Sequence, residues 1–206
     1  MILGNKIKAI GFDYSGVIAG WPSSLFDKKI CEILNITIEK FHETYFKINY
    51  LINNKSLSKG DFFRELLDKL GKPEKYEDVM SFLKSIPEHQ VNQEVLNLVD
   101  ELKKSGYKIG LLSNNTIEAA DQMRAYGLDK HFDAFVVSGE IGFMKPDPQA
   151  FRVFFEKLGF LPSESIFIDD TAKNLLRAKE IGFHPILFTD CKNLVEELNK
   201  LGVKLV

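Results

Sequence analysis

The chain has 206 residues, 45% of them hydrophobic and 27% charged, with 27 Lys and Arg against 29 Asp and Glu. This composition is typical of a soluble globular chain and excludes a disordered or collagen-like protein. A net charge of −2 without a basic cluster argues against nucleic-acid binding, because neutralising many phosphates requires clustered Lys and Arg.

The first predicted element is a β-strand over residues 7–12, an apolar run that ends on Asp13. From residue 23 to about residue 87, hydrophobic residues recur at helical spacing with no strand between them. Ser58 is a helix start and Gly71 a helix stop within this region. These patterns predict four helices that pack as a small bundle.

Predicted helices and strands alternate from Asn92 onward. The strands cover residues 108–112, 134–137, 165–168 and 185–188, and the helices cover residues 94–105, 117–125, 148–158 and 173–180. Strict alternation of this kind indicates βαβ units and a parallel sheet. Because the first strand has no partner near it in the sequence, we expect it to join this later sheet.

The predicted fold class is therefore α/β. Residues 1–18 and 90–206 would form a Rossmann-like core with a doubly wound parallel sheet, and residues 19–89 would form an inserted helical-bundle cap. A length above the roughly 150 residues of an ordinary domain agrees with a core that carries an insertion.

Residues that handle phosphate or a divalent metal stand where the predicted strands end. Asp13, Ser113 and the pair Asp169–Asp170 each close or follow a strand, and Lys145 lies in a loop. Ligands bind outside the carboxyl ends of the strands in an open parallel sheet. Three neighbouring carboxylates require a cation, since repulsion would otherwise protonate one of them. Lys145 supplies one positive charge, and Mg²⁺ would supply the rest.

Four short motifs carry these residues. They are Phe12-Asp13-Tyr14-Ser15-Gly16-Val17, Leu111-Leu112-Ser113-Asn114-Asn115, Lys145-Pro146-Asp147-Pro148, and Ile168-Asp169-Asp170 with Asn174 four residues later. In this order they resemble the motifs of the haloacid dehalogenase (HAD) superfamily, most of whose members are Mg²⁺-dependent phosphatases. The helical insertion also stands where that superfamily places its cap, so the resemblance covers nearly the whole chain.

The resemblance implies catalytic and substrate-binding roles for four residues. Asp13 would be the nucleophile that forms an aspartyl-phosphate. The Ser113 hydroxyl and the backbone N–H of Asn114 would bind phosphoryl oxygens. Lys145 would hold the nucleophile and neutralise the charge that develops in the transition state.

The resemblance also implies Mg²⁺ as the cofactor. Its ligands would be Asp13, Asp170, Asp169 and the backbone carbonyl of Ser15. Asn174 would orient these ligands through hydrogen bonds, without contacting the metal itself. The expected partner is a small phosphorylated metabolite, and the sequence does not specify which one.

Ser15 departs from the family pattern, which usually has a second aspartate at this position. That aspartate protonates the leaving group and later deprotonates the hydrolytic water. A serine hydroxyl does neither near pH 7. The reaction would therefore lack the acceleration of about 10²–10⁴-fold that a general acid and base supplies.

Three functions remain open after this substitution. The protein would be a phosphatase that needs good leaving groups or takes an acid from its cap, a weakened enzyme that binds a phosphorylated ligand or partner, or a 2-haloacid dehalogenase-like hydrolase. The dehalogenase branch has a tyrosine in place of Ser15 and needs no metal, which disfavours that function. A receiver-type phosphoacceptor domain is also disfavoured, because there the acidic pair precedes the phosphorylated aspartate.

Residues of the cap region bear on substrate choice. Trp21 would line the substrate pocket or pack in the linker. His42 and His89 are interpreted as surface or packing residues, with replacement of the missing acid as the alternative.

Two cysteines do not make a disulfide framework at this size, and no apolar run approaches the roughly 18 residues of a membrane span. We therefore expect a cytoplasmic protein with no membrane contact.

Overall fold

The computed structural model describes residues 6–20, 22–53, 57–86 and 90–205. Within this part of the chain, five strands form one parallel sheet: β1 (Ala9–Phe12), β2 (Lys108–Ser113), β3 (Ala134–Val137), β4 (Ser165–Asp169) and β5 (His184–Leu187). Their spatial order is β3-β2-β1-β4-β5. The sheet winds in opposite directions on the two sides of β1, so the predicted doubly wound α/β fold is confirmed.

The helices divide between the cap and the core. The cap contains α1 (Ser23–Leu34), α2 (Ile38–Ile48), the short α3 (Tyr50–Asn53), α4 (Lys59–Leu70) and α5 (Tyr76–Ser85). The core contains α6 (Gln93–Lys104), α7 (Ile117–Ala125), the short α8 (Ser138–Ile141), α9 (Pro148–Leu158), the short α10 (Ala178–Ile181) and α11 (Cys191–Lys200). No helix of the described ranges is long and apolar enough to cross a membrane.

The cap has a hydrophobic core of its own. Its members include Ile30, Phe41, Phe62, Leu66 and Val79, each nearly inaccessible to solvent. The ends of α4 follow the signals in the sequence. The Ser58 hydroxyl accepts a hydrogen bond from the backbone N–H of Asp61, and Gly71 ends the helix in the left-handed conformation.

Hydrophobic layers cover both faces of the sheet. On one face, α6 and α11 contribute residues such as Val99 and Leu198 to a cluster of buried side chains that also contains Ile10 of β1. On the other face, Phe154 of α9 lies directly on the strands. A Cβ on Gly11 would lie 2.7 Å from the Phe154 ring and 2.5 Å from Phe167, so only glycine permits this close approach.

Two sequence predictions for the core differ from the structure. The helix predicted over residues 173–180 is wrong, since this segment contains a 3₁₀ turn (Ala172–Leu175) followed by α10. The side chain of Asn174 is held by Asp169, and its backbone N–H bonds to Thr171 three residues earlier, which tightens the first turn. Helix α11, capped by Asp190, was not predicted.

Candidate active site

The central position of β1 brings the predicted motifs together. Phe12 pairs with Leu111 of β2 on one side and with Ile168 of β4 on the other. The backbone N–H of Asp13 continues this ladder with a 2.8 Å hydrogen bond to the carbonyl of Ile168. The carboxyl ends of β1, β2 and β4 therefore meet, which places Asp13 beside the residues that end the two flanking strands.

Lys145 bridges two of the carboxylates. Its ammonium nitrogen lies 2.7 Å from Oδ1 of Asp13 and 2.6 Å from Oδ2 of Asp169. The Lys145 side chain is inaccessible to solvent, although it reaches this position from a loop. Such a buried ammonium is stabilised by its two carboxylate partners, whose charges raise the pKa of Lys145 against the opposing effect of burial.

Asn114 holds the backbone of Lys145. Its side-chain oxygen accepts a 2.7 Å hydrogen bond from the Lys145 N–H, and its side-chain nitrogen donates a 2.9 Å bond to the Lys145 carbonyl. Sequence reasoning assigned only the backbone N–H of Asn114 to the site, so it missed this contact. The amide satisfies a donor and an acceptor of one residue, which fixes the loop that carries the lysine.

Asp169 is surrounded by hydrogen-bond donors. The side-chain nitrogen of Asn174 lies 3.1 Å from both of its carboxylate oxygens, and the backbone N–H of Thr171 donates to Oδ1 at 2.8 Å. With Lys145 on Oδ2, both oxygens of Asp169 are engaged. Asn174 thus contacts Asp169, and its role in orienting metal ligands stays a prediction.

Asp170 joins the core to the first cap helix. Its Oδ2 accepts a 2.7 Å bond from the backbone N–H of Ser23, and its Oδ1 accepts a 3.1 Å bond from the Ser23 hydroxyl. Gly16 lies against the same carboxylate, since a Cβ on this residue would overlap Oδ2. Sequence reasoning did not predict the contact with Ser23.

Three carboxylates form a cluster that could hold a metal ion. Asp13, Asp169 and Asp170 each offer an oxygen, and these oxygens lie within 4.8 Å of one another. Burial and the neighbouring Asp169 raise the pKa of Asp13 to about 7, although Lys145 acts in the opposite direction. Burial also raises the pKa of Asp170. A donor set of carboxylate oxygens with excess negative charge fits a hard divalent cation.

Two other predicted residues lie close to Asp13 in the fold, since Ser113 ends β2 next to β1 and Ser15 follows Asp13 by two residues. The Ser113 hydroxyl is fully buried and has no hydrogen-bond partner within the described part of the chain. Ser15 is half-buried and pairs through its backbone with Ala19. Trp21 and His89 lie outside the described residues.

A cleft of about 650 Å³ separates the cap from the loop after β4. Residues from both sides line it, among them Ser23, Asp27, His42 and Phe46 of the cap and Asp170 and Lys173 of the core. The ammonium of Lys173 lies over the Phe46 ring, 3.4 Å from its centroid. This volume is in the range of small-molecule binding sites.

A family model described as haloacid dehalogenase-like hydrolase matches residues 7–182. The match covers most of the chain and all four motifs. The chain belongs to this family. The predicted superfamily is therefore confirmed.

Relatives of this HAD hydrolase include bifunctional epoxide hydrolases and a sugar-alcohol phosphate phosphatase. It is 31% identical over 140 residues to bifunctional epoxide hydrolase 2 of Sus scrofa, covering 65% of this chain but 25% of that protein. The chain thus spans about a quarter of the length of those epoxide hydrolases. It is 27% identical over 195 residues to D-ribitol-5-phosphate phosphatase of Bacteroides thetaiotaomicron, covering 86% of this chain and 89% of that one.

A solved structure shares the fold of this HAD hydrolase over nearly its full length. It is a HAD family enzyme from Bacteroides thetaiotaomicron in a magnesium complex, with a TM-score of 0.61 and 21% sequence identity. The match covers 93% of this chain and 99% of that one.

Proposed function

We propose that the protein is a Mg²⁺-dependent phosphatase that hydrolyses a small phosphomonoester through an aspartyl-phosphate on Asp13. The observation that carries this proposal is the contact of Asp13 with the buried ammonium of Lys145. Asp13 is one of the three carboxylates that form the cluster. A lysine held in this way keeps a nucleophilic carboxylate in place and offsets the charge of an approaching phosphoryl group.

The carboxylate cluster fits Mg²⁺. We assign Asp13, Asp170 and the backbone carbonyl of Ser15 as its ligands from the chain, with Asp169 beside them. When bound, the ion supplies positive charge that polarises the phosphoryl oxygens. Asp169 serves chiefly to hold Lys145, since both of its oxygens already accept hydrogen bonds from the protein.

In the first step, a carboxylate oxygen of Asp13 attacks phosphorus and forms a new P–O bond. The bond from phosphorus to the leaving oxygen breaks, and its electron pair stays on that oxygen. Lys145 neutralises charge on the phosphoryl group, and the Ser113 hydroxyl and the Asn114 N–H donate to its oxygens. The Ser113 hydroxyl supports this role, because a buried hydroxyl without a partner costs about 1–3 kcal/mol and a phosphoryl oxygen would satisfy it.

In the second step, water attacks phosphorus and regenerates the Asp13 carboxylate. The substrate class is a small phosphorylated metabolite. The relationship to D-ribitol-5-phosphate phosphatase supports a polyol or sugar phosphate among the first esters to test. A cleft with hydroxyl, imidazole and carboxylate groups beside an aromatic ring agrees with such a polar leaving group.

The test is phosphate release from a broad panel of phosphate esters, with Mg²⁺ or with EDTA. The matched control is Asp13→Asn, which keeps the shape of the side chain and removes the nucleophile. We expect turnover that requires Mg²⁺ and is lost in the variant. No release above the Asp13→Asn control with any ester would overturn the proposal, and labelling by acetyl phosphate without release would favour a binding function.

A further inference from the structure

The proposed reaction lacks a group that protonates the leaving oxygen, because Ser15 stands where such an acid would be. An in-line displacement places the leaving oxygen opposite the Asp13 carboxylate. Cap residues line the cleft beside Asp170, so a proton donor for the leaving oxygen would come from the cap. The inference below rests on the proposed function and deepens it.

We propose that Asp27 of the cap, held by His42, is the general acid and base of this enzyme. Asp27 lies on α1, four residues after Ser23. Residues at this spacing share one face of a helix and are about 6 Å apart along its axis. Because Ser23 donates two hydrogen bonds to Asp170, the same face of α1 directs Asp27 toward the carboxylate cluster.

The cleft between cap and core connects the two groups. Asp27, His42 and Asp170 all line it, and its volume of about 650 Å³ accommodates the organic part of a small phosphate ester. The carboxyl group of Asp27 is 19% exposed, so it is accessible from the cleft but largely removed from bulk water. A general acid needs both this access and this partial burial.

His42 fixes the orientation of Asp27. Its Nε2 lies 2.5 Å from Oδ2 of Asp27, while Oδ1 has no hydrogen-bond partner among the described residues. Phe41 and Phe46 contact the imidazole ring with centroid separations of 5.9 and 5.3 Å. One carboxyl oxygen is therefore held by the cap, and the other is available to a ligand.

The charged and titratable groups around Asp27 come from three elements. They are Cys31 on α1, His42, Glu43, Tyr45 and Lys47 on α2, and Asp170 and Lys173 on the core loop. Burial raises the pKa of Asp27, and the hydrogen bond and charge of His42 oppose this shift. A raised pKa keeps the proton available closer to neutral pH.

The proton transfers balance over the two steps. In the first, protonated Asp27 gives its proton to the leaving oxygen as the P–O bond breaks, so the product departs as an alcohol and Asp27 becomes a carboxylate. In the second, this carboxylate accepts a proton from the attacking water as the new P–O bond forms. The aspartyl-phosphate bond breaks, its electron pair returns to Asp13, and Asp27 is protonated again.

Leaving-group dependence tests the assignment. Alkyl phosphates need a proton on the leaving oxygen, whereas p-nitrophenyl phosphate leaves as a stable anion. We expect Asp27→Asn to lower kcat/KM with alkyl phosphates by about 10²-fold or more and to change kcat/KM with p-nitrophenyl phosphate little, because kcat/KM reports the step in which the leaving oxygen departs. Loss of the base slows hydrolysis of the aspartyl-phosphate formed from every ester, so kcat should fall with both. Adding Ser15→Asp to this variant should restore alkyl phosphate turnover. Glu32→Gln, the same chemical change at an exposed site on α1, is the control and should leave both activities unchanged.

The pH profile tests the role of His42 separately. His42→Phe keeps an aromatic ring against Phe41 and Phe46 but removes the hydrogen bond and charge that lower the pKa of Asp27. The alkaline limb of kcat/KM should therefore move to higher pH. A variant that only loosened the cap would lower the rate without moving this limb.

The outcomes separate this inference from the proposed function. If the wild-type enzyme is active and Asp27→Asn lowers kcat/KM equally for all leaving groups, or for none, the assignment of Asp27 is overturned and the phosphatase proposal is unaffected. A wild-type enzyme that is inactive with every ester overturns both. If Asp27→Asn does not fold by circular dichroism, Asp27→Glu replaces it, with the same selective loss expected because the acid is displaced.

Discussion

The ammonium of Lys145 and the carboxylate of Asp169 form an ion pair of 2.6 Å in which both side chains are fully buried. The same ammonium contacts Asp13 at 2.7 Å, so one lysine serves two acids. Removing the lysine would leave two carboxylates in a site with little access to water. The pair is therefore a structural requirement of the carboxylate cluster as well as part of the proposed chemistry.

Lys145→Met should destabilise the metal-free protein strongly. Removing one partner of a buried ion pair costs about 3–5 kcal/mol, because the remaining charge stays without compensation. Urea denaturation in EDTA would measure the change. Lys8→Met is the matched control, since Lys8 pairs with Glu164 on the surface and its loss should change stability little. Equal effects of the two substitutions would contradict the proposed importance of the buried pair.

Gly16→Ala should abolish metal binding. The added Cβ would overlap Oδ2 of Asp170, so the carboxylate has to move away from the cluster. Isothermal titration with Mg²⁺ or Mn²⁺ would measure the loss. Gly20→Ala controls for backbone strain, because φ is +79° at Gly20 and +78° at Gly16, whereas no atom of the described residues beyond its chain neighbours lies within 4 Å of a Cβ on Gly20. Unchanged metal affinity in Gly16→Ala would count against Asp170 as a ligand.

The stability of the metal-free protein should depend on pH through Asp13. Its pKa is raised from an ordinary value of 3.8 to about 7 in the folded state. Between these values the unfolded chain has released a proton that the folded protein retains, so stability falls as pH rises. Asp13→Asn lacks this titration. The free energy of unfolding of the variant minus that of the wild type should therefore grow from about pH 4 to pH 7, and a constant difference would contradict the raised pKa.

Asn114→Ala should disturb Lys145 without touching its ammonium group. The two hydrogen bonds of 2.7 and 2.9 Å between Asn114 and the Lys145 backbone would be lost, at a cost of about 1–3 kcal/mol in stability. Turnover should fall because the ammonium is no longer held against Asp13. Asn114→Asp keeps the acceptor for the Lys145 N–H. Its stability and its turnover should therefore lie between those of the wild type and of Asn114→Ala. Full activity in Asn114→Ala would refute a positioning role.

Most of the core could be predicted from local patterns. The helices at residues 117–125 and 148–158 have the predicted bounds. The segment after β4 could not be predicted in this way, because the side chain of Asn174 bonds to Asp169 and the chain tightens into a 3₁₀ turn. Here a tertiary contact overrides a helical sequence pattern.

The sequence predicts which residues stand at the strand ends, but not the contacts between them. Asp13 follows β1, Ser113 ends β2 and Asp169 ends β4, and neighbouring parallel strands bring such residues to one edge of the sheet. The hydrogen bonds of Asn114 to the Lys145 backbone join two loops, and neither loop has a periodic pattern that reveals the other.

The sequence by itself determined the alternation of strands and helices, the run of helices between the first two strands and the chemical groups at the strand ends. These features depend on hydrophobic periodicity and on short motifs, which are local. Only the tertiary structure decided that Lys145 is buried between Asp13 and Asp169, that Ser23 donates to Asp170, and that Asp27 and His42 face the same cleft. The physical reason is that these contacts join segments that are far apart in the sequence, a loop to the strand ends and the cap to the core, and such packing is a property of the whole chain.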